Sequence, residues 1–90
     1  MDEIRLEKNA RKAIEKLPVK LRQKVAVRLL ALRDDPYPSG SKKLQGSKHA
    51  FWRLRVGDLR IAYTVAANVI TVVIVADRRD VYQRLSRQSK

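Results

Sequence analysis

Three arginines in the stretch FWRLRVGDLRIAYTV, residues 51–65, have the charge and the spacing to bind an anion. If the central Gly-Asp pair is a two-residue turn between two strands, Arg55 lies directly opposite Arg60, and Arg53 lies on the same face. Like charges opposed across a strand pair cost up to about 1 kcal/mol, and a guanidinium group keeps its proton at neutral pH. The cluster therefore needs either neighbouring carboxylates or a bound anion.

Carboxylates that could neutralise this cluster are few. After residue 35 the chain contains only Asp58, Asp77 and Asp80. Asp58 belongs to the predicted turn, and the other two lie beside Arg78 and Arg79, which need partners of their own. Planar guanidinium groups bind phosphate oxygens in pairs. The sequence therefore favours a phosphate-binding face over a set of internal ion pairs.

The opposite face of the same hairpin is apolar, and we expect it to pack against helices. Its members are Trp52, Leu54, Val56, Leu59, Ile61 and Tyr63. Trp52 is therefore assigned to the core rather than to a surface that stacks on nucleobases, and Tyr37, inside a proline turn, is also assigned to packing. The arginine face is predicted to stay open and positive, and Ala62 on that face is either a small residue that leaves room for a substrate or a tolerated alanine without a role.

Two amphipathic helices are predicted to support the hairpin. They follow a short strand in DEIRLE, residues 2–7, and the first helix takes Asn9 as its N-cap. The apolar stripe of that helix consists of Ala10, Ala13, Ile14 and Leu17. The second helix is predicted over residues 19–33, between Pro18 and the segment DDPYPSG. Its apolar face consists of Leu21, Val25, Leu29 and Leu32, widened by Ala26 and Leu30.

Strands are predicted over residues 50–56, 59–65 and 69–76. The last of them is almost continuously β-branched, which is typical of a strand covered on both faces. A polar, basic loop, SKKLQGSKHA, precedes these strands with Leu44 as its anchor, and a short helix is predicted after Asp77. The elements together predict an α+β fold: two N-terminal helices packed on a small, mainly antiparallel sheet, with a short C-terminal helix.

The charge of the chain points to a polyanionic partner. Among 90 residues, 21 are Lys or Arg and nine are Asp or Glu, a formal net charge of +12, and residues 36–90 carry 11 basic against three acidic side chains. Such a surface usually faces nucleic acid or an acidic protein. The lack of cysteine excludes a thiol nucleophile and fits a reducing cytoplasm. Frequent charges in the first thirty residues predict neither a signal peptide nor a membrane span.

The segments KKLQG, FWRLRVGDLRIAY and DRRDVY together resemble the RelE toxins of the RelE/ParE superfamily of toxin–antitoxin systems. The resemblance extends over residues 1–90 and implies a single toxin domain whose fold is similar to that of microbial ribonucleases. It implies a cytoplasmic endoribonuclease that cleaves messenger RNA in the ribosomal decoding site. It also implies an acidic antitoxin as protein partner, and neither a metal nor another cofactor.

Carried over residue by residue, the resemblance assigns the catalytic groups to five positions of this chain. These positions are Arg53, Arg55, Arg60, Arg78 and Tyr82. Further basic residues are expected to contact RNA: Lys42, Lys43, Lys48 and Arg79.

The chemistry that the resemblance implies is attack of a ribose 2′-hydroxyl on the adjacent phosphorus, giving a 2′,3′-cyclic phosphate and a 5′-hydroxyl. The arginines would stabilise charge on the phosphoryl oxygens, while Tyr82 either serves as the base or stacks on a nucleobase. Arg53 and Arg55 stand where family members often have lysine, and Asp77 stands where they often have histidine or lysine. His49 is an alternative proton carrier, although a lone loop histidine is more often solvated.

Two other functions are compatible with the sequence. The ParE branch of the superfamily inhibits DNA gyrase by binding, and a nonenzymatic basic domain would bind RNA or DNA. Arginines at the matched positions together with Tyr82 favour the nuclease. A basic strand pair also lacks the recognition helix that a major-groove binder needs.

Overall fold

Two helices and five strands make up the part of the chain that the computed structural model describes, residues 3–44, 51–77 and 79–80. In chain order the elements are β1 (Glu3–Leu6), α1 (Lys8–Glu15), α2 (Val19–Ala31), β2 (Lys42–Lys43), β3 (Trp52–Val56), β4 (Leu59–Ala66) and β5 (Val69–Asp77). The strands form one sheet of order β1-β5-β4-β3-β2, with β1 parallel to β5 and the other neighbours antiparallel. The predicted α+β class is confirmed. The predicted C-terminal helix lies outside the described residues.

Both helices pack on one face of the sheet, where the larger hydrophobic core lies. Its buried members are Ala10, Val25, Leu29, Leu32, Leu54, Val56, Ile61, Tyr63, Ile70, Val72 and Val75. The predicted stripes of both helices are confirmed, but Ala26 and Leu30 do not widen the second one. Both are exposed, Leu30 by 58%, because α2 meets the sheet along a narrow line through Val25 and Leu29. No helix within the described ranges is long and apolar enough to span a membrane.

The helix boundaries differ slightly from those that the sequence predicts. Asn9 is not the N-cap of α1, since the helix begins at Lys8 and Glu7 occupies the cap position without a side-chain cap bond. The reason is that Glu7 still belongs to the strand pairing: its backbone N–H donates to the carbonyl of Val72 at 3.0 Å. The second helix ends at Ala31 rather than at residue 33, where single tighter turns replace it.

Tight turns set the register of the two hairpins. Arg55 lies opposite Arg60, as predicted, and the turn between them has Gly57 at a φ of +60°, the left-handed conformation that a glycine-first turn requires. The next turn has Ala67 and Asn68 at φ values of 52° and 65°, which is the signature of a type I′ turn. Because these turns fix the register, the faces of β3 and β4 follow directly from the sequence.

The sheet departs from the prediction at its β2 edge. Lys42–Lys43 form a short strand antiparallel to β3, where a loop was expected. The ladder closes because the backbone N–H of Leu44 donates to the carbonyl of Phe51 at 2.8 Å. Leu44 itself is partly buried, so its predicted role as an anchor is confirmed. Inside the sheet, β5 lies between β1 and β4 and is buried on both faces, as its β-branched sequence predicts.

Aromatic residues fasten the segment after α2 to the sheet. Tyr63, fully buried opposite Trp52, donates its hydroxyl hydrogen bond to the carbonyl of Pro36 at 2.8 Å. The ring of Tyr37 packs on Trp52 with centroids 4.5 Å apart. The packing roles predicted for Trp52 and Tyr37 are confirmed. Burial raises the pKa of Tyr63 from its ordinary value of 10.0 to about 12.

We predict that Tyr63→Phe lowers the free energy of unfolding by about 1 kcal/mol at pH 7, because the carbonyl of Pro36 loses its donor. The raised pKa of Tyr63 adds a pH dependence: the protonated phenol stabilises the fold fully below pH 10, and this contribution is lost as the pH rises toward 12. Urea unfolding followed by the fluorescence of Trp52 between pH 7 and about 11 measures both effects.

Tyr37→Phe is the matched control, because Tyr37 is 49% exposed and the substitution keeps its ring contact. The free energies of unfolding of wild type and of Tyr37→Phe should fall together at alkaline pH. The difference between them and the free energy of unfolding of Tyr63→Phe should therefore become smaller. If the difference in free energy of unfolding between wild type and Tyr63→Phe stayed constant across the pH range, the raised pKa would not belong to Tyr63.

Candidate phosphate-binding site

The three predicted arginines share the face of the sheet away from the helices, but they differ in exposure. Arg53 and Arg60 are buried, with 8% and 9% of their surface exposed, whereas Arg55 is exposed. The prediction of an open face is therefore wrong for two of its three arginines. The physical reason is a second apolar cluster on this face. It consists of Phe51, Ala62, Val73, Ile74 and Ala76, with Leu44 packed against it.

Small residues stand opposite both buried arginines. Arg53 pairs with Ala62 across β3 and β4, and Arg60 pairs with Ala76 across β4 and β5. An alanine at these positions leaves more room beside the guanidinium stem than any larger side chain would. The β4–β5 ladder also shifts register immediately after Ala62, where Val73 is the extra residue, and such bulges are frequent next to functional sites.

Arg60 is held by the backbone of its own hairpin. Its Nη1 donates to the carbonyl of Gly57 at 3.0 Å and to the carbonyl of Leu59 at 3.0 Å. The first carbonyl belongs to the turn and the second to the strand residue that follows it, so the side chain braces the tip of the hairpin. Each such bond stabilises the fold by roughly 0.5–1.5 kcal/mol net. Arg60 therefore positions the turn, in addition to adding positive charge to this face.

Arg53 differs from Arg60 in its hydrogen bonding. Its Nε is buried and, among the described residues, has no hydrogen-bond partner. The ion pairs of the described part, Arg5 with Glu3 and Arg11 with Glu15, do not involve it. A buried donor left unpaired costs about 1–3 kcal/mol, and more when the group is charged. Arg53 is thus a desolvated cation whose Nε–H has no acceptor among the described residues. If the arginines formed internal ion pairs, which is the other possibility that the sequence allows, a carboxylate would accept from this N–H.

Two exposed cations border Arg53. Lys42 pairs with Arg53 across β2 and β3, and Arg55 lies two residues further along β3 on the same face. Neither has a carboxylate partner within the described ranges. An anion that approaches Arg53 therefore meets the charges of Lys42 and Arg55 first. We call Lys42, Arg53 and Arg55 the cationic cradle.

The other predicted RNA-contacting residues are not part of the cradle. Lys43 pairs with Trp52, which places it on the helix side of the sheet. Arg79 is exposed just past β5, and its backbone N–H donates to Asp77 Oδ1 at 2.9 Å. Asp77 thus holds the turn after β5 rather than an arginine of the cradle. The remaining predicted residues lie outside the described part of the chain: Lys48, His49, Arg78 and Tyr82.

The apolar surroundings of the arginines were missed by the sequence prediction. Phe51, Ile74 and Ala76 share the face with Arg53 and are themselves buried there. The alternation that places Arg53 and Arg55 on one face also places Phe51 there, so this signal was available. No group of three or more His, Cys, Asp or Glu side chains suited to a metal ion occurs within the described ranges.

The sequence matches the model of a protein family described as the ParE toxin of the type II toxin–antitoxin system parDE, over residues 4–82. The chain therefore belongs to this family, within the RelE/ParE superfamily, and the resemblance found in its motifs is confirmed. It is the toxin of a type II toxin–antitoxin system. No curated protein sequence matches the chain.

Solved structures of RelE toxins have the same fold. The toxin in the archaeal RelE–RelB complex from Pyrococcus horikoshii OT3 is 26% identical, with a TM-score of 0.75 over 84% of this chain and 93% of that one. The toxin of the RelB–RelE complex from Methanococcus jannaschii is 22% identical, with a TM-score of 0.71 over 89% and 96%. A mutant of E. coli RelE in the free state is 22% identical, with a TM-score of 0.73 over 94% of each chain.

We predict that Arg60→Ala lowers the free energy of unfolding by about 1–3 kcal/mol, because two bonds to the hairpin backbone are lost from a buried position. Arg55→Ala, which removes the same side chain from the facing strand position, should change it by less than about 0.5 kcal/mol. Urea unfolding curves of both variants give the comparison. Equal losses in the two variants would show that Arg60 does not brace the turn.

Proposed function

We propose that this toxin is a ribosome-dependent endoribonuclease that cleaves messenger RNA, and that the cationic cradle binds the phosphate at the cleaved bond. The observation that carries the proposal is Arg53, a buried guanidinium whose Nε has no partner among the described residues. A phosphate oxygen would satisfy that N–H and neutralise a desolvated charge in one contact. The fold shared with RelE toxins supports the same reading.

The cradle favours the transition state over the bound substrate. When the ribose 2′-oxygen attacks phosphorus, negative charge grows on the two non-bridging oxygens, and fixed cations in a water-poor site stabilise that charge strongly. Arg53 supplies the fixed, buried cation, while Arg55 and Lys42 supply exposed ones at its border. In this proposal Arg60 keeps the hairpin tip in place, because one of its guanidinium nitrogens already binds the turn.

The reaction needs a proton route at each end. The 2′-hydroxyl loses its proton as the 2′-oxygen bonds to phosphorus, and the departing 5′-oxygen gains a proton as its bond to phosphorus breaks. Arginine does not exchange protons, so Arg53 and Arg55 perform neither step. The resemblance to RelE toxins assigns Arg78 to the phosphate and Tyr82 to the proton or to base stacking, and both lie outside the described residues.

An acidic antitoxin is the proposed protein partner. The relatives from P. horikoshii and M. jannaschii are toxins in complex with RelB. The net charge of +12 on this chain favours an acidic protein that would cover part of the basic surface. Action on ribosomes places the toxin in the cytoplasm in this proposal.

Inhibition of DNA gyrase is the second candidate function. The observation that favours it is the family model itself, which describes ParE toxins. A binding-only inhibitor has no need of an unsatisfied buried guanidinium, so Arg53 favours the nuclease. Primer extension on transcripts after induction separates the two: a nuclease gives defined 5′ ends within translated messages. Intact transcripts together with inhibited supercoiling by purified gyrase would instead establish the ParE-like function.

We predict that Arg53→Met separates stability from activity. Methionine fills the apolar surroundings without a buried charge, so the free energy of unfolding should stay the same or rise. Cleavage of messenger RNA on programmed ribosomes should fall at least about 100-fold, because the fixed cation at the phosphate is gone. Single-turnover cleavage and urea unfolding of the same preparation provide the two readouts.

Arg22→Met is the control, since Arg22 is an exposed cation on α2 without an ion pair in the described part of the chain. Its cleavage rate should stay within about threefold of wild type, consistent with a lost surface charge. Wild-type cleavage by Arg53→Met would refute the phosphate-binding role of Arg53.

We predict that Tyr82→Phe slows single-turnover cleavage at least about tenfold if the phenol carries a proton. Tyr37→Phe, which removes a hydroxyl from a packing tyrosine, should cleave at the wild-type rate. An unchanged rate for Tyr82→Phe would limit Tyr82 to stacking on a nucleobase. The pH dependence of the rate in both variants gives an independent check.

A further inference from the structure

Cleavage by attack of the ribose 2′-oxygen needs a proton at the 5′-oxygen that leaves. When the bond between phosphorus and this oxygen breaks, an acid has to protonate the oxygen, because an alkoxide is a poor leaving group. Arg53 and Arg55 do not exchange protons at neutral pH. A different group beside the phosphate therefore has to supply this proton.

Lys42 is the member of the cationic cradle that has an ammonium group. It lies on β2 directly opposite Arg53 of β3. Opposed residues of antiparallel strands share one face of the sheet, with Cβ atoms about 4.5–5.5 Å apart. An ammonium group has three N–H donors and no lone pair, so it gives a proton and accepts none. By its chemistry and its position, Lys42 is suited to protonate an oxygen of a phosphate bound at Arg53.

Backbone hydrogen bonds on both sides hold β2 at this position. Before the strand, the backbone N–H of Ser41 donates to the carbonyl of Pro38 at 2.9 Å. After the strand, the backbone N–H of Leu44 donates to the carbonyl of Phe51 at 2.8 Å. The side chain of Lys42 is exposed and forms no ion pair within the described ranges. A free ammonium group on a flexible stem thus extends from a fixed backbone position.

The described carboxylates of the strands and of the β3–β4 turn are less suited to this role. Asp77 pairs with Leu59, whose side chain packs against the core on the helix face. Glu3 belongs to β1, three strand positions from β3 and about 14 Å away at the usual strand spacing, and it pairs with Arg5. Asp58 lies in the turn, and an ionised carboxylate accepts hydrogen bonds but has no proton to give.

We propose that Lys42 is the general acid of the cleavage reaction, an inference that rests on the proposed nuclease function. The 2′-oxygen bonds to phosphorus while the bond from phosphorus to the 5′-oxygen breaks, and the 5′-oxygen, which keeps the electron pair, takes a proton from Lys42 Nζ. Lys42 is left as a neutral amine and regains its proton from water. Arg53 and Arg55 stabilise charge on the non-bridging oxygens, and the proton of the 2′-hydroxyl leaves to a different group.

Two synthetic messages distinguish an acid from a cation that only binds RNA. The first has the natural 5′-oxygen at the cleaved bond, which primer extension with the wild-type toxin locates. The second has sulfur in place of that oxygen, and sulfur leaves as a thiolate without a proton, because the ordinary pKa of a thiol is about 8.5. Single-turnover cleavage of both messages on programmed ribosomes is measured for wild type and for Lys42→Arg, which keeps the charge but does not exchange protons.

Lys42→Arg should cleave the oxygen message at least about 100-fold more slowly than wild type, and the sulfur message within about threefold of wild type. Lys24→Arg is the matched control, because Lys24 is an exposed lysine of α2 without an ion pair in the described part of the chain. It should cleave both messages at the wild-type rate. Urea unfolding of both variants should have the wild-type midpoint, since each substitution is at an exposed position.

Three results would overturn the inference. If Lys42→Arg cleaves the oxygen message at the wild-type rate, Lys42 contributes charge and no proton. If Lys42→Arg is slowed equally on both messages, Lys42 binds or orients RNA and is not the acid. If wild type does not cut the oxygen message, the proposed nuclease function itself is wrong, and this failure is visible without any variant.

Discussion

The buried guanidinium of Arg53 is the constraint on which this account of the toxin depends. Desolvating a cation is unfavourable unless it gains a partner, and Arg53 Nε has none among the described residues. Phe51, Ala62 and Ile74 are buried on the same face of the sheet. Because the Nε–H of Arg53 has no acceptor among the described residues, an anion that accepts from it would gain a hydrogen bond and a charge interaction at once. A phosphate-binding site requires such a donor.

The two faces of the sheet differ in their proposed roles: the helix face stabilises the fold, and the far face holds the proposed phosphate site. The helix face holds the larger core, and Tyr63 ties the segment after α2 to it through Pro36. The far face holds the smaller cluster with its two buried arginines, of which Arg60 braces the hairpin and Arg53 stays available.

Most of the architecture follows from the sequence because tight turns and strict alternation determine it. The Gly57 turn sets the pairing of Arg55 with Arg60, and alternation then assigns every residue of β3 and β4 to a face. Alternation also places Phe51 on the face of Arg53, but it does not show that β5 brings Val73, Ile74 and Ala76 to the same face. The exposure of Leu30 was missed for a related reason: periodicity defines an apolar stripe but not how wide a contact the sheet offers.

The Nε–H of Arg53 can be observed directly by NMR. In ¹⁵N-labelled toxin, a trinucleotide with 2′-deoxy sugars, which cannot be cleaved, is titrated while the arginine Nε–H signals are recorded by NMR. We expect the Arg53 signal to shift on binding and its exchange with water to slow, with smaller changes at Arg55. An unchanged Arg53 signal at saturation, with shifts confined to exposed arginines, would contradict phosphate binding by Arg53.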